Sequence, residues 1–223
     1  MKSCLFALFC LLSLAVSAQS TDAAKEAAYA NVLASRSDKI VATLGIGDSA
    51  AYKAVKQIIV GQYRALNTIH DTHKAALKNT KETFQADKEQ LDTHLKQLDE
   101  TLSQQLSQQH TNYLNQLSAR LSPAQIEQVK DGMTYGVLPI TYKGYQDMLP
   151  DLTDTQKSQI LAWLTEARER AMDAESSEKK HAWFGKYKGK INNYLSAAGI
   201  DMKKAGQEWE ARIKASEAAK KHE

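Results

Sequence analysis

Residues 84–121 read FQADKEQLDTHLKQLDETLSQQLSQQHTNYLNQLSARL. No glycine or proline interrupts the chain between Gly61 and Pro123. Phe84, Leu91, Leu95, Leu98, Leu102, Leu106, Tyr113, Leu117 and Leu121 recur at steps of 3, 4 and 7. That period is the apolar seam of a helix and not the alternation of a strand. The positions between are Gln, Asp, Lys, Ser and His, so the other faces meet water. The stretch predicts a long helix or a helical hairpin over about residues 81–120, protruding from a helical bundle.

The same texture extends upstream. Ala, Lys, Gln, Glu and Leu are abundant, breakers are few, and no alternating strand pattern occurs, so the fold class is all-α with no significant sheet. A first helix is expected from about Ala23 to Leu44, ended by Gly45 and Gly47, with Asp48 or Ser49 capping the next. Val55, Ile58, Ile59, Gln62, Tyr63, Leu66 and Ile69 form the stripe of that second helix. Downstream the texture changes. Nine of the fourteen aromatic residues beyond residue 18 follow residue 130, and Pro123, Pro139 and Pro150 are the chain's three prolines. Shorter, tightly packed helices are therefore expected over about 121–200. LSPAQ (121–125) and LTDTQ (152–156) are helix starts in which Ser or Thr caps and Gln reaches back. The second should bury Ile160, Leu164, Ala167 and Ala171. Ser176 or Ser177 caps a further helix ending at Gly199, and a polar terminal helix runs over 201–223.

Residues 1–18 carry the marks of an export signal. Lys2 is the positive end, Leu5 to Val16 is apolar, and Val16-Ser17-Ala18 offers small residues for cleavage before Gln19. The apolar run is too short to span a bilayer, and no second segment is apolar enough to do so. Cys10 follows Phe9, which lacks the small size that lipid attachment needs. Cys4 and Cys10 both leave with the signal, so a single domain over 19–223 must be held by packing alone, which about 200 residues can supply. Export without disulfides points to a bacterial periplasm or an extracellular bacterial location. The formal charge of +3 becomes +2 once Lys2 is gone. A balance that near neutrality gives no argument for nucleic acid or for an anionic membrane surface.

The chemistry-bearing block is SSEKKHAWFGKYKGKINNYLSAAG (176–199). On a helix starting near Ser177, Trp183, Tyr187, Ile191, Tyr194 and Leu195 share a broad face, which reads either as core or as an aromatic platform. Lys179, Lys186, Lys190 and Asn193 share the neighbouring face, a solvated stripe or a set of contacts for carboxylates and hydroxyls. Lys180 falls within the aromatic face, and near a helix end it is expected to snorkel to water. Gly185 and Gly189, one turn apart, permit close approach of another helix or of a ligand. A second candidate is GMTYGVLPITYKGYQDMLPDL (132–152), read as a glycine- and proline-bent connection. There Tyr135, Tyr142 and Tyr145 either staple a turn to the core or stand at a rim and stack on sugar rings.

Other chemistries lack their residues. His70 and His73 are spaced to share a helix face, but no third ligand or HExxH accompanies them, so no metal or other cofactor is expected. Glu166 and Glu169, beside Arg168 and Arg170, read as surface ion pairs and not as a glycosidase pair. No GxSxG, phosphate loop or mature cysteine nucleophile is present.

SDKIVATLG (37–45), QYRALNTIHD (62–71), KDGMTYGVLPITYKGYQDMLPDL (130–152) and the 176–199 block resemble a secreted family of Bacteroidota, domain of unknown function 3826. The resemblance covers nearly all of the mature chain and is most specific in the last two blocks. It implies an export signal, one helical domain and carbohydrate binding, and it brings no catalytic residue. LSPAQ and LTDTQ are also similar to the LTxxQ motifs of small periplasmic helical chaperones of the Spy and CpxP type. The expected function is non-catalytic binding of a carbohydrate or acidic polysaccharide in a glycan-utilisation system. The expected site residues are Trp183, Tyr187, Lys186, Lys190, Asn193, Tyr142 and Tyr145. The alternatives are a chaperone or adaptor with protein clients and, third, an enzyme of unknown type.

Overall fold

The computed structural model describes residues 6–220, with side chains described from 23 to 218. Eight helices follow one another: α1 (Phe6–Val41), α2 (Ser49–Thr83), α3 (Lys88–Ser118), α4 (Pro123–Met133), α5 (Val137–Met148), α6 (Asp154–Met172), α7 (Ser177–Ala197) and α8 (Met202–Lys220). Among the described residues there is no strand, so the all-α reading holds. The chain divides into two compact units, with the boundary inside α2 after Tyr63.

In the first unit α1 begins at Phe6 and not at Ala23, because the Leu- and Ala-rich apolar run is itself a strong helix former. Lys2 lies outside the described residues, and so do the side chains around the expected cleavage at Ala18. The helix ends through two tight bonds, Thr43 N to Ile40 O (3.2 Å) and Leu44 N to Val41 O (3.0 Å). Gly45 then turns the chain at φ +67°. Asp48 is the residue that starts α2, accepting a bond from Ala51 N at 2.6 Å. Asp38 ties the two helices together. It accepts from Lys56 Nζ (2.7 Å) and the Tyr52 hydroxyl (3.0 Å), and these bonds hold its carboxyl below the usual carboxylate range.

In the second unit most of the long seam lies on one helix, α3, which forms a hairpin with the end of α2. The chain breaks at Phe84–Asp87 without glycine or proline, because Asp87 caps α3 by accepting from Gln90 N at 3.0 Å. Phe84, expected within the helix, sits at this turn and stacks on His94 with ring centroids 4.3 Å apart. Leu91, Leu95, Leu98, Leu102 and Leu106 are half-buried, since a two-helix hairpin covers its seam from one side only. Full burial begins at the base with Tyr113, Leu117 and Leu121.

Both short motifs are capping boxes. Ser122 with Gln125 opens α4, where Pro123 occupies the first turn, and Thr153 with Gln156 opens α6. Residues 132–152 correct the expected bent connection. Most of the segment is helix α5, entered through Tyr135 and Gly136, both left-handed (φ +60° and +65°). Pro139 falls in the first turn, where an amide would lack a helical partner anyway, so it does not break the helix.

The core joins Leu138, Tyr145 and Leu149 of α5 to Ile160, Leu164, Ala167 and Ala171 of α6. Phe184, Tyr187, Ile191 and Leu195 of α7 complete it, with Ala205 of α8. The α6 residues are those the periodicity named. On α7 the spacing misplaced the face by one residue. Phe184 is buried, while Trp183 and Tyr194 are half-buried at its flanks. Asp201 starts α8 by accepting from the Lys203 and Lys204 amides (3.0 and 2.9 Å).

Candidate functional site

Helices α6 and α7 run antiparallel, with positions 163, 166 and 170 facing 190, 187 and 183. Ile160, Leu164 and Ala167 hold α6 to the core, which leaves Trp163, Glu166 and Arg170 on the adjoining stripe at helical spacing. Across the seam, Lys190 Nζ stands 4.6 Å from the Trp163 ring centroid and 5.8 Å from that of Tyr187. Lys186 Nζ and Arg170 Cζ lie 5.1 and 5.9 Å from the Trp183 centroid. Trp183 and Tyr187 tilt against each other at 6.5 Å, and Tyr194 meets Trp163 edge-on at 5.3 Å. Burial, and then the hydrogen bond that the Tyr187 hydroxyl donates to Glu166, push that phenol upward, so it stays a donor at neutral pH.

The seam therefore unites four of the expected residues, Trp183, Tyr187, Lys186 and Lys190, in one cationic-aromatic row. Asn193 lies exposed three residues beyond Lys190, on the same helical stripe. The two tyrosines of α5 are placed elsewhere. Tyr142 is packed half-buried against the core. Tyr145 is buried, and its hydroxyl donates to Asn192 Oδ1 at 2.7 Å; burial pushes it up to about 12. Among the described residues neither forms a ring–ring pair with Trp183 or Tyr187, although Tyr145 shares the core with Tyr187. Trp163, Glu166 and Arg170 complete the row; Trp163 was not singled out in the sequence, and Glu166 and Arg170 were read there only as ion-pair residues. Their spacing of three and four residues, one step beside the core stripe, was the available signal.

Lys186 and Lys190 have no carboxylate partner among the described residues. A lysine over an indole face keeps the rest of its hydration shell, and the ring stabilises it by about 0.5–1 kcal/mol at an exposed site. The row thus presents fixed positive charges on an aromatic backing. Lys180 differs. It is only 6 % exposed, and its Nζ donates at 3.1 Å to the carbonyls of Ala171 and Met172. It caps the C-terminus of α6 and does not snorkel to water, because the orphan carbonyls of that helix end lie nearer than solvent. Gly185 and Gly189 are exposed, with no atom of another element within 4 Å of where a Cβ would lie, so no described helix packs on them.

A second polar cluster links the hairpin to α4 and α6. His110 places Nδ1 2.8 Å from Asp173 Oδ2 and Nε2 3.3 Å from Glu169 Oε2. Those two bonds push it up to about 9 against the opposing effect of burial. Burial disfavours the Glu169 carboxylate, but His110, Lys130 (3.1 Å) and Arg168 outweigh it and hold the group at about 2. Arg168 is 3 % exposed and bonds Asp131 at 2.7 Å, and also Glu127. The expected surface pairs are thus corrected at Arg168 and Glu169. Only Arg170 with Glu166, at 3.8 Å, is the helix-surface pair that was expected. His70 donates to the Asp173 carbonyl at 2.7 Å, while His73 lies 3.6 Å from Asp99. Among the described residues no group of three or more His, Cys, Asp or Glu side chains is arranged to hold a metal. Cations face each carboxylate of this cluster, while Asp173 Oδ1 and Arg168 Nε are buried without a hydrogen-bond partner among the described residues; the cluster is a brace.

None of the described helices is long and apolar enough to cross a membrane. Curated proteins yield no match to the chain. Residues 30–215 match the model of a family described as protein of unknown function DUF3826, which takes in both the seam and the brace. The chain belongs to the DUF3826 family.

Proposed function

We propose that this protein is exported and binds an acidic polysaccharide along the α6–α7 seam, without catalysis, within a glycan-utilisation system. The observation that carries the reading is the pair of lysines, Lys186 and Lys190, held over Trp183 and Trp163 with no ion pair to a carboxylate among the described residues, the row's own Glu166 being engaged by Tyr187 and Arg170. One helical turn, about 6 Å, separates the two lysines along α7. Carboxylates of successive uronate residues meet the outer side of each ammonium. The exposed parts of the Trp183 and Tyr194 rings contact sugar C–H groups, and Asn193 bonds hydroxyls. Contacts of this kind give weak binding, about millimolar to micromolar, or roughly 4–8 kcal/mol. The charged part of that binding weakens as salt shortens the Debye length.

The two LTxxQ-like motifs lend the chaperone alternative no weight, since capping boxes account for both. Electrophoresis through gels containing polygalacturonate or dextran tests the proposal. Retardation by the first and not the second is expected, and equal mobility in both gels contradicts it.

A further inference from the structure

Tyr135 is the one non-glycine residue among the described residues with a positive φ, +60°. A left-handed conformation strains a residue with a Cβ, and Gly136 beside it, at φ +65°, shows what the turn would accept without strain. The strain is not repaid by burial, because Tyr135 is 49 % exposed. Its ring is nonetheless held. It lies nearly parallel to His181 of α7, with centroids 5.5 Å apart and planes 14° from each other. Neither the Tyr135 hydroxyl nor the His181 ring has a hydrogen-bond partner among the described residues. Ile140, one turn into α5 and beside Gly136, is 69 % exposed, and Gly185, one turn beyond His181, is open to solvent. The result is a shelf with a fixed aromatic face, an apolar side wall and free polar tips.

We propose that this shelf is a second binding site, for an uncharged saccharide ring, separate from the cationic seam. A hexose offers an apolar C–H face to the Tyr135 ring and hydroxyls to the phenol and imidazole. Among the described residues no lysine or arginine stands over the rings of the shelf, in contrast to the seam, which is why a neutral ring suits it. The chain keeps a strained tyrosine where glycine would be relaxed because the ring is needed at that point.

The test uses full-length protein and its Tyr135→Gly, Tyr135→Phe and Lys186→Gln/Lys190→Gln variants. Cellohexaose, xylohexaose and mannohexaose are added up to millimolar concentration while the ring-proton NMR signals of Tyr135 and His181 are followed. At least one of the three is expected to shift both sets of signals. Tyr135→Gly should lose that binding at least tenfold while melting at the same or a higher temperature, Tyr135→Phe should keep most of it, and the lysine variant should keep all of it. Unmoved signals with all three sugars overturn the proposal, as does binding that survives in Tyr135→Gly. A marked fall in the melting temperature of Tyr135→Gly assigns the ring a structural role and also overturns it. Polygalacturonate binding that persists in Tyr135→Gly keeps this outcome separate from the fate of the seam.

Discussion

The ammonium of Lys190, on α7, stands 4.6 Å from the centre of the Trp163 ring, on α6. Two residues 27 positions apart in the chain are brought face to face by the antiparallel packing of their helices, and the same register sets Arg170 against Trp183. What spacing along α7 alone shows as a lysine stripe beside an aromatic face is in the structure a row built by two helices. A site assembled in this way is more rigid than one on a loop, because core contacts of Ile160, Leu164, Phe184 and Ile191 fix both walls.

Lys180→Met should destabilise the protein by about 1–3 kcal/mol, the range for losing charge-assisted bonds to buried acceptors. Methionine preserves the packing of the stem but removes the ammonium donor from both carbonyls, leaving Ala171 O with only its bonds from the Asp173 and Ala174 amides. Urea denaturation measures the difference. A variant as stable as the wild type would mean that Lys180 reaches water instead.

The brace makes stability depend on pH in two windows. His110 rises from an ordinary 6.5 to about 9, so its contribution is complete below pH 6.5 and is lost as pH climbs through 9. Glu169 falls from 4.5 to about 2, so its contribution is present above pH 4.5 and is lost as pH drops through 2. Stability from this pair should therefore be greatest between about pH 4.5 and 6.5. In His110→Gln the decline between pH 6.5 and 9 should shrink by about 1–3 kcal/mol, an order of magnitude set by 1.36 kcal/mol per unit and reduced by partial exposure. Melting curves across that range decide it, and parallel declines in both proteins would remove His110 from the account.

Leucines of one seam should differ by depth. Leu117, fully buried at the hairpin base, should cost about 2–5 kcal/mol on replacement by Ala. Leu98, half-buried nearer the turn, should cost about 1 kcal/mol, in proportion to the smaller apolar area it removes from water. Equal losses at the two sites would mean that the outer hairpin is covered on a second side.

Much of this fold was legible along the chain. Periodicity named Ile160, Leu164, Ala167 and Ala171, and capping grammar placed the starts of α4 and α6, because both signals are local. The hairpin turn was missed for want of a glycine or proline, although Asp87 ahead of Glu89 is a helix-start signal in its own right. Residues 132–152 misled because Pro139 and Gly144 look like breakers until their positions in the helix are known. Long-range pairing could not be read at all. Arg168 with Glu127 and Asp131, His110 with Asp173, and Trp163 with Lys190 each join helices whose mutual register no single-helix pattern encodes. For that reason the aromatic and lysine faces of α7 were readable while their partners on α6 were not.

The central claim is tested most directly by calorimetric titration of polygalacturonate into wild type and the Lys186→Gln/Lys190→Gln variant at low and high salt, with melting temperatures measured alongside. Both lysines are exposed and lie outside the core, so the variant should melt within a few degrees of the wild type. Wild-type binding should be weak, about millimolar to micromolar, and should weaken further with salt. The variant should lose at least tenfold in affinity and most of the salt dependence. Binding of equal strength in the two proteins, or wild-type binding indifferent to salt, would contradict the assignment of the α6–α7 seam as an acidic-glycan site.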